Sequence, residues 1–231
     1  MYLKRFGFPS YGDERGYLAN CDVPDITIPF ELFPQRNLDH IDFSEVTIFS
    51  GNSDSEKNLA MEIIAEKLGI DNLNVGLDKR IVRGYLGMCY TRYAEYLEKP
   101  LEIEKIFISQ SDIVDYLEKN KYCFDGNSTL LHYYESKIHA GSICFLQYPE
   151  TCMSLEESIA LARLIEDFAR YSKTQFIISS NSPAILAIKD ALIYDFNDRV
   201  VIGRTWCNSA EAARHVSFYQ EIVDKHKNNV T

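Results

Sequence analysis

Apolar residues along this chain fall into short blocks of differing period. Val46-Thr47-Ile48-Phe49 is a β-branched and aromatic run that stops at Ser50-Gly51, and it predicts a strand. After a polar loop, Leu59, Ala60, Ile63, Ile64 and Leu68 recur at helical spacing, with Gly69 as a C′ stop. Ile143 to Leu146, Gln175 to Ile178 and Ala191 to Phe196 are continuous runs suited to strands covered on both faces. Ser154-Leu155-Glu156-Glu157 has the spacing of a capping box. It opens a predicted helix whose inner stripe includes Leu155, Ile159, Ala162, Ile165 and Ala169. Strand, loop, helix and strand in this order predict an α/β fold with a largely parallel central sheet flanked by helices.

The remaining chain is less regular. Its first forty residues read as short strands broken by turns. Tyr2 to Phe8 ends at Pro9-Ser10, Gly12-Asp13-Glu14 has turn composition, and Ile26 to Phe33 alternates loosely before Pro34. Tyr85, Leu86, Met88, Tyr90, Tyr93 and Tyr96 show no clean period, so Asp71 to Lys105 stays unassigned. Lys105 to Ser109 predicts another strand, Asp112 to Leu117 a short helix and Leu130 to Ile138 a longer one. No repeat or low-complexity segment marks a boundary, so one domain is expected over residues 1–231.

Composition changes the picture by exclusion. A formal charge of −10 argues against a general nucleic-acid coat or a polybasic membrane surface. No stretch approaches the roughly 18 uninterrupted apolar residues of a spanning helix, and Met1 to Pro9 lacks the pattern of a signal peptide. The six cysteines, Cys21, Cys89, Cys123, Cys144, Cys152 and Cys207, never form C-x-x-C and lie in or beside apolar runs. Reduced core cysteines are therefore expected, rather than zinc ligands or a disulfide framework, and the expected compartment is the cytoplasm.

The candidate chemistry lies after the Val46 strand. A strand, a polar loop opening on Gly51, Lys57 and an apolar helix form the frame of a phosphate-binding loop. Such a loop needs glycines for close approach of backbone N–H groups to phosphate, a lysine for charge, and a hydroxyl for Mg²⁺. Set beside G-x-x-x-x-G-K-[ST], the loop runs Gly51-Asn52-Ser53-Asp54-Ser55-Glu56-Lys57-Asn58. The first glycine and the lysine are present; Glu56 stands for the second glycine and Asn58 for the hydroxyl.

Other segments extend the likeness. They are Met1-Tyr2-Leu3-Lys4-Arg5-Phe6, Val46 to Asn52, Phe145-Leu146-Gln147-Tyr148-Pro149-Glu150, Ser154-Leu155-Glu156, Gln175 to Pro183 and Ala191 to Phe196. In these segments and their order the chain resembles bacterial ABC-type ATPases of the small predicted-ATPase group, relatives of SMC and DNA-repair ATPase heads. The resemblance implies a P-loop NTPase fold of the ABC-ATPase-head type with an N-terminal antiparallel β part. It divides the domain into a β-rich part (1–45), a vestigial P-loop and helix (46–70), a shortened helical subdomain (71–142) and a part with the vestigial Walker B and switch segments and a C-terminal helix (143–231). It maps nucleotide binding onto Gly51, Asn52, Ser55, Lys57 and Asn58. It maps the metal-supporting, catalytic and switch positions onto Gln147, Tyr148 and Asn181, and a signature-like element onto Gly126 and Ser128.

At those positions the residues depart from the family. Asp54 and Glu56 aim carboxylates at a phosphate nest, where like charges about 4 Å apart repel by about 4 kcal/mol at an effective dielectric near 20. Gln147 brings no charge to a metal, a tyrosine phenol is a poor base for water, and Asn181 cannot exchange a proton as a histidine does. The segment from Gln110 to Cys123 is too short for a coiled-coil arm. The resemblance with these losses implies a pseudo-ATPase with no catalytic residue, no metal and no resident cofactor, acting through itself or another protein, such as an ABC-type homologue. The alternative is an ATP-binding protein or ATPase with a non-standard loop, ATP and Mg²⁺ held by Ser55, Lys57 and Asn58 and an acidic group such as Glu150.

Plainer roles compete for the same residues. Lys57 can pair with Asp54 or Glu56 at a helix start, and Glu150 can be solvated or structural. His132, His139 and His215 lack metal-ligand spacing. The Tyr85 to Tyr96 cluster suits core or partner surface, and Glu98 to Glu104 a solvated acidic edge.

Overall fold

The computed structural model describes residues 1–21, 29–52, 56–70, 79–120 and 129–228. Along the chain come β1 (Leu3–Gly7), α1 (Tyr11–Leu18), α2 (Leu32–Gln35), β2 (His40–Asp42), β3 (Val46–Ser50), α3 (Lys57–Lys67) and α4 (Lys79–Met88). Then follow β4 (Tyr90–Tyr93), β5 (Lys105–Ile108), α5 (Gln110–Lys119), α6 (Thr129–Lys137), β6 (Ile143–Gln147) and α7 (Leu155–Tyr171). The chain closes with β7 (Gln175–Ser179), α8 (Pro183–Leu186), β8 (Leu192–Asp195), β9 (Gly203–Arg204) and α9 (Ala210–Asn228). No described helix is long and apolar enough to cross a membrane.

Among the described residues six strands form the main sheet in the order β5-β6-β7-β3-β8-β9, all parallel except the β8–β9 edge pair. This is the expected α/β architecture with a largely parallel sheet. Both faces of β3 are covered, so Val46 and Ile48 enter one core and Phe49 the other. The first core lies under α3 and includes Phe6, Phe33, Met61, Ile64, Tyr85, Phe145 and Ile177. The second lies under α6 and α7 and includes Tyr134, Leu146, Leu161, Ile165, Phe176 and Ile178.

A smaller antiparallel sheet, β2-β1-β4, gathers the N-terminal strands. One buried side chain on β7 joins it to the main sheet. Gln175 accepts from the N–H groups of Tyr2 and Leu3 at 2.9 and 2.8 Å and donates to the carbonyls of Leu3 and Ser44 at 2.8 and 3.0 Å. All the hydrogen-bonding capacity of the amide is therefore satisfied.

Local signals explain several boundaries. The capping box at Ser154 is present, with Glu157 Oε2 accepting from the Ser154 N–H at 2.8 Å. α3 ends in a Schellman motif: Gly69 has φ 91°, and the Ile70 N–H donates to the Ala65 carbonyl at 3.0 Å.

Several expectations need correction. Gly12-Asp13-Glu14 is not a turn but the start of α1, which a Ser10–Asp13 capping box nucleates. Of the segment read as alternating over 26–33, residues 26–28 lie outside the described residues, and Leu32 opens a short helix. The inner stripe of α7 runs through Ser158, Leu161, Ala162, Ile165 and Ala169; Leu155 and Ile159 are exposed, because at 100° per residue they fall to one side of that face. The unassigned region contains α4 and β4. Not every cysteine is in a core; Cys152 and Cys207 are exposed, Cys89 and Cys144 are buried, and Cys123 lies outside the described residues.

Candidate functional site

The carboxyl ends of β3, β6, β7 and β8 converge on the first turn of α3, the place where open parallel sheets present their ligand crevice. Gly51 follows β3 with φ 140°, a conformation that favours glycine. Asn181 follows β7, Tyr148 follows β6 and Asn197 follows β8. Lys57 is the first residue of α3, and Asn58 the second.

These residues bond to one another. Lys57 is 0% exposed; its Nζ donates to the Gly51 carbonyl at 2.6 Å and to Asn181 Oδ1 at 2.9 Å. The same Asn181 oxygen accepts from the Gly51 N–H at 2.9 Å, while Asn181 Nδ2 donates to the Gly51 carbonyl at 2.7 Å. The next backbone donor, Asn52 N–H, goes to Asn197 Oδ1 at 2.9 Å. Side-chain amides thus cover the two N–H groups that open the loop.

A second set of bonds closes the other flank. Asn58 Nδ2 donates to the Tyr148 hydroxyl at 3.1 Å, and Asn58 Oδ1 accepts from Ser179 Oγ at 2.6 Å. The Tyr148 ring lies 4.9 Å from Lys57 Nζ, a cation–π contact, and Tyr148 itself has φ 48°. A bulky residue in the left-handed region is costly, and here the ring contact, the Asn58 bond and the Tyr148 N–H bond to the Ser179 carbonyl at 2.8 Å hold it.

The electrostatics follow from burial. Lys57 forms no ion pair among the described residues, and desolvation pulls its ammonium down to about 8, opposed by the more distant charges of Glu150, Glu211 and Asp195. Glu150 Oε1 accepts from Ser180 Oγ at 2.8 Å, but its buried Oε2 has no partner among the described residues. Burial pushes that carboxyl above the ordinary range. Gln147 turns away to donate to Glu62 at 3.4 Å, and burial raises the Glu62 carboxyl also.

The structure brings Gly51, Asn52, Lys57, Asn58, Tyr148 and Asn181 together and places Gln147 at their margin. Ser55, Gly126 and Ser128 lie outside the described residues, as does Asp54. Lys57 does not pair with Glu56, whose carboxylate meets Arg36 at 3.3 Å. His132, His139 and His215 each face a glutamate, Glu135, Glu104 and Glu211, and no group of residues that could hold a metal ion occurs among the described residues. Asn197 and Ser179 complete the cluster without having been singled out in sequence. Ser179 lies in the Gln175 to Pro183 segment, whereas Asn197 carries no local signal.

No family model matches the chain, and no curated protein sequence is similar to it. Among solved structures, the chain is similar to the SMC head domain from Thermotoga maritima at 12% identity and a TM-score of 0.45, with 89% of this chain and 99% of that one covered. It is also similar to an SMC head crystallised with the C-terminal winged-helix domain of ScpA, at 12% identity and a TM-score of 0.47, covering 88% and 97%.

Proposed function

We propose that this protein is a degenerate ATPase-head-like protein, a pseudo-ATPase that does not hydrolyse ATP and acts in the cytoplasm through protein–protein contact. One observation carries the reading: the lysine that would meet a phosphate instead donates to Gly51 and Asn181 inside a closed polar cluster. A nucleotide entering there must break those bonds and expel the amides from the loop N–H groups. Phosphoryl transfer depends on positioning and on stabilising developing charge. Among the described residues the Asn58 amide bonds Tyr148 and Ser179 and no carboxylate, and Tyr148 and Asn181 offer neither a strong base nor a proton relay.

The interaction half of the proposal draws on α9. Val216, Phe218, Tyr219, Ile222 and Val223 are all exposed along its middle, and apolar residues gathered on one element mark contact surfaces. A second copy or an ABC-type homologue is the proposed partner. Neither DNA nor a membrane is proposed.

Isothermal titration of ATP and of ADP, with and without Mg²⁺, tests the nucleotide half; no binding heat at millimolar ligand is expected. Mg²⁺-dependent binding that Lys57→Ala abolishes establishes the alternative, a nucleotide binder with a non-standard loop. Light scattering after size exclusion tests self-association, with Tyr219→Ser and Val223→Ser together returning a dimer to monomer.

A further inference from the structure

Between the outer edge of β2 and the β8–β9 pair lies a cavity of about 350 Å³, at the small end of the range for ligand pockets, roughly 300–1,000 Å³. Bonds between the two sheets brace it. The Tyr194 hydroxyl accepts from the Asp42 N–H at 2.9 Å and donates to the Asp42 carbonyl at 3.0 Å, and the Val201 N–H donates to the Arg36 carbonyl at 3.2 Å. At Gly203 an added Cβ would lie 2.9 Å from the Tyr194 ring and 3.0 Å from Leu192, so glycine lets β9 pack directly on these β8 side chains.

The walls differ in kind. Leu192, Val201 and Ile202 make the β8–β9 side apolar, whereas Asn37, Asp39 and His40 line the β2 side. Asp42 also borders the cavity, but Arg5 takes its carboxylate, with Nε 2.6 Å from Oδ1 and Nη2 2.8 Å from Oδ2. The exposed Asp39 carboxylate has no ion pair or hydrogen bond among the described residues, and no described lysine or arginine lines the cavity. The backbone adds an acceptor. The Asp39 carbonyl accepts from the Phe8 N–H of the β1 side and the Phe43 N–H donates to the Lys4 carbonyl, so by ladder alternation His40 and Asp42 turn their peptide groups away from β1. Tyr194 takes the Asp42 pair, and the His40 carbonyl stays on the cavity edge.

An anion entering here meets Asp39 with no cation beside it. An uncompensated carboxylate and neighbouring acceptors, set against an apolar wall, suit a cation with several N–H donors on an alkyl stem. A guanidinium answers this better than an ammonium, because its planar fork of donors spans several acceptors and it is more weakly hydrated. The geometry points to a binding site for an alkylguanidinium, the group an arginine side chain presents. The guanidinium pairs with Asp39 and the His40 carbonyl, and the stem lies on Leu192, Val201 and Ile202. The site shares no residue with the Lys57 cluster and stands whether or not a nucleotide binds there.

Proton–nitrogen correlation NMR of the whole chain, titrated with butylguanidinium at low salt, tests it; neutral butylurea of the same shape is the control. Saturable shifts of the Ile202 and Gly203 amides are expected at millimolar cation and not with butylurea. Asp39→Asn, a change at an exposed position, is expected to weaken binding by about tenfold through loss of the charge-assisted pair. Acetyl-arginine amide distinguishes the source. Saturation by it supports an arginine side chain of a partner protein, and saturation by butylguanidinium alone supports a small free cation in the same site. No saturable shift with either cation, an equal response to butylurea, or unchanged affinity in Asp39→Asn overturns the proposal.

Discussion

Lys57 Nζ and the Gly51 N–H share one acceptor, Asn181 Oδ1, each at 2.9 Å. A single amide oxygen thereby ties the start of α3 to the end of β3. Replacing Asn181 by Ala removes this acceptor and the donor to the Gly51 carbonyl, leaving a buried ammonium with one hydrogen bond, to Gly51, and the Tyr148 ring. A hydrogen bond to a charged group contributes roughly 1.5–3 kcal/mol, so Asn181→Ala is expected to destabilise the protein by about 3 kcal/mol in urea unfolding.

Alkaline pH is expected to stabilise this protein through Lys57. The folded ammonium titrates near 8 and the unfolded one near 10.5. Between those values the unfolded chain binds more protons, so stability rises with pH, by roughly 3 kcal/mol across the window. Lys57→Met lacks this rise, and denaturant unfolding at stepped pH measures the difference.

Glu150 acts in the opposite direction. Its folded carboxyl titrates above the ordinary 4.5, so the folded state holds the extra proton and its contribution falls as pH rises through that window. Glu150→Gln removes this acid-side slope. It also withdraws a charge that supports the Lys57 ammonium, so Lys57 titrates below about 8 in the variant. NMR of the lysine ζ nitrogen reads this coupling.

The strands of the main sheet were legible because burial on both faces writes them as unbroken apolar runs, as at Val46 to Phe49. Lys57 and Asn58 are legible from the strand, loop and helix frame of residues 46–68, whereas Tyr148 and Asn181 are reached only through the resemblance of the segments that carry them. α1 escaped because Gly12 and Gly16 weaken its pattern, and its capping box uses Asp13 where glutamate is usual. β4 escaped because it alternates exposed and half-buried residues at a sheet edge. Asn197 and Glu14 depend on contacts made across the fold, with Asn52 and Glu31, which no local spacing encodes.

At Gly69, φ is 91° and an added Cβ meets nothing within 4 Å. Strain rather than crowding therefore decides the outcome, and Gly69→Ala is expected to cost about 1 kcal/mol by thermal unfolding.

The Gln175 amide presents two donors and two acceptors at one reach. Glutamate has the reach but not the donors, asparagine has the donors but falls a methylene short, and apolar substitutes strand four backbone groups. The seating of the small sheet is thus shared between two polar side chains, Gln175 on β7 and Tyr194 on β8, whose hydroxyl bonds the Asp42 N–H and carbonyl, so losing either one leaves the other still fastening a different strand.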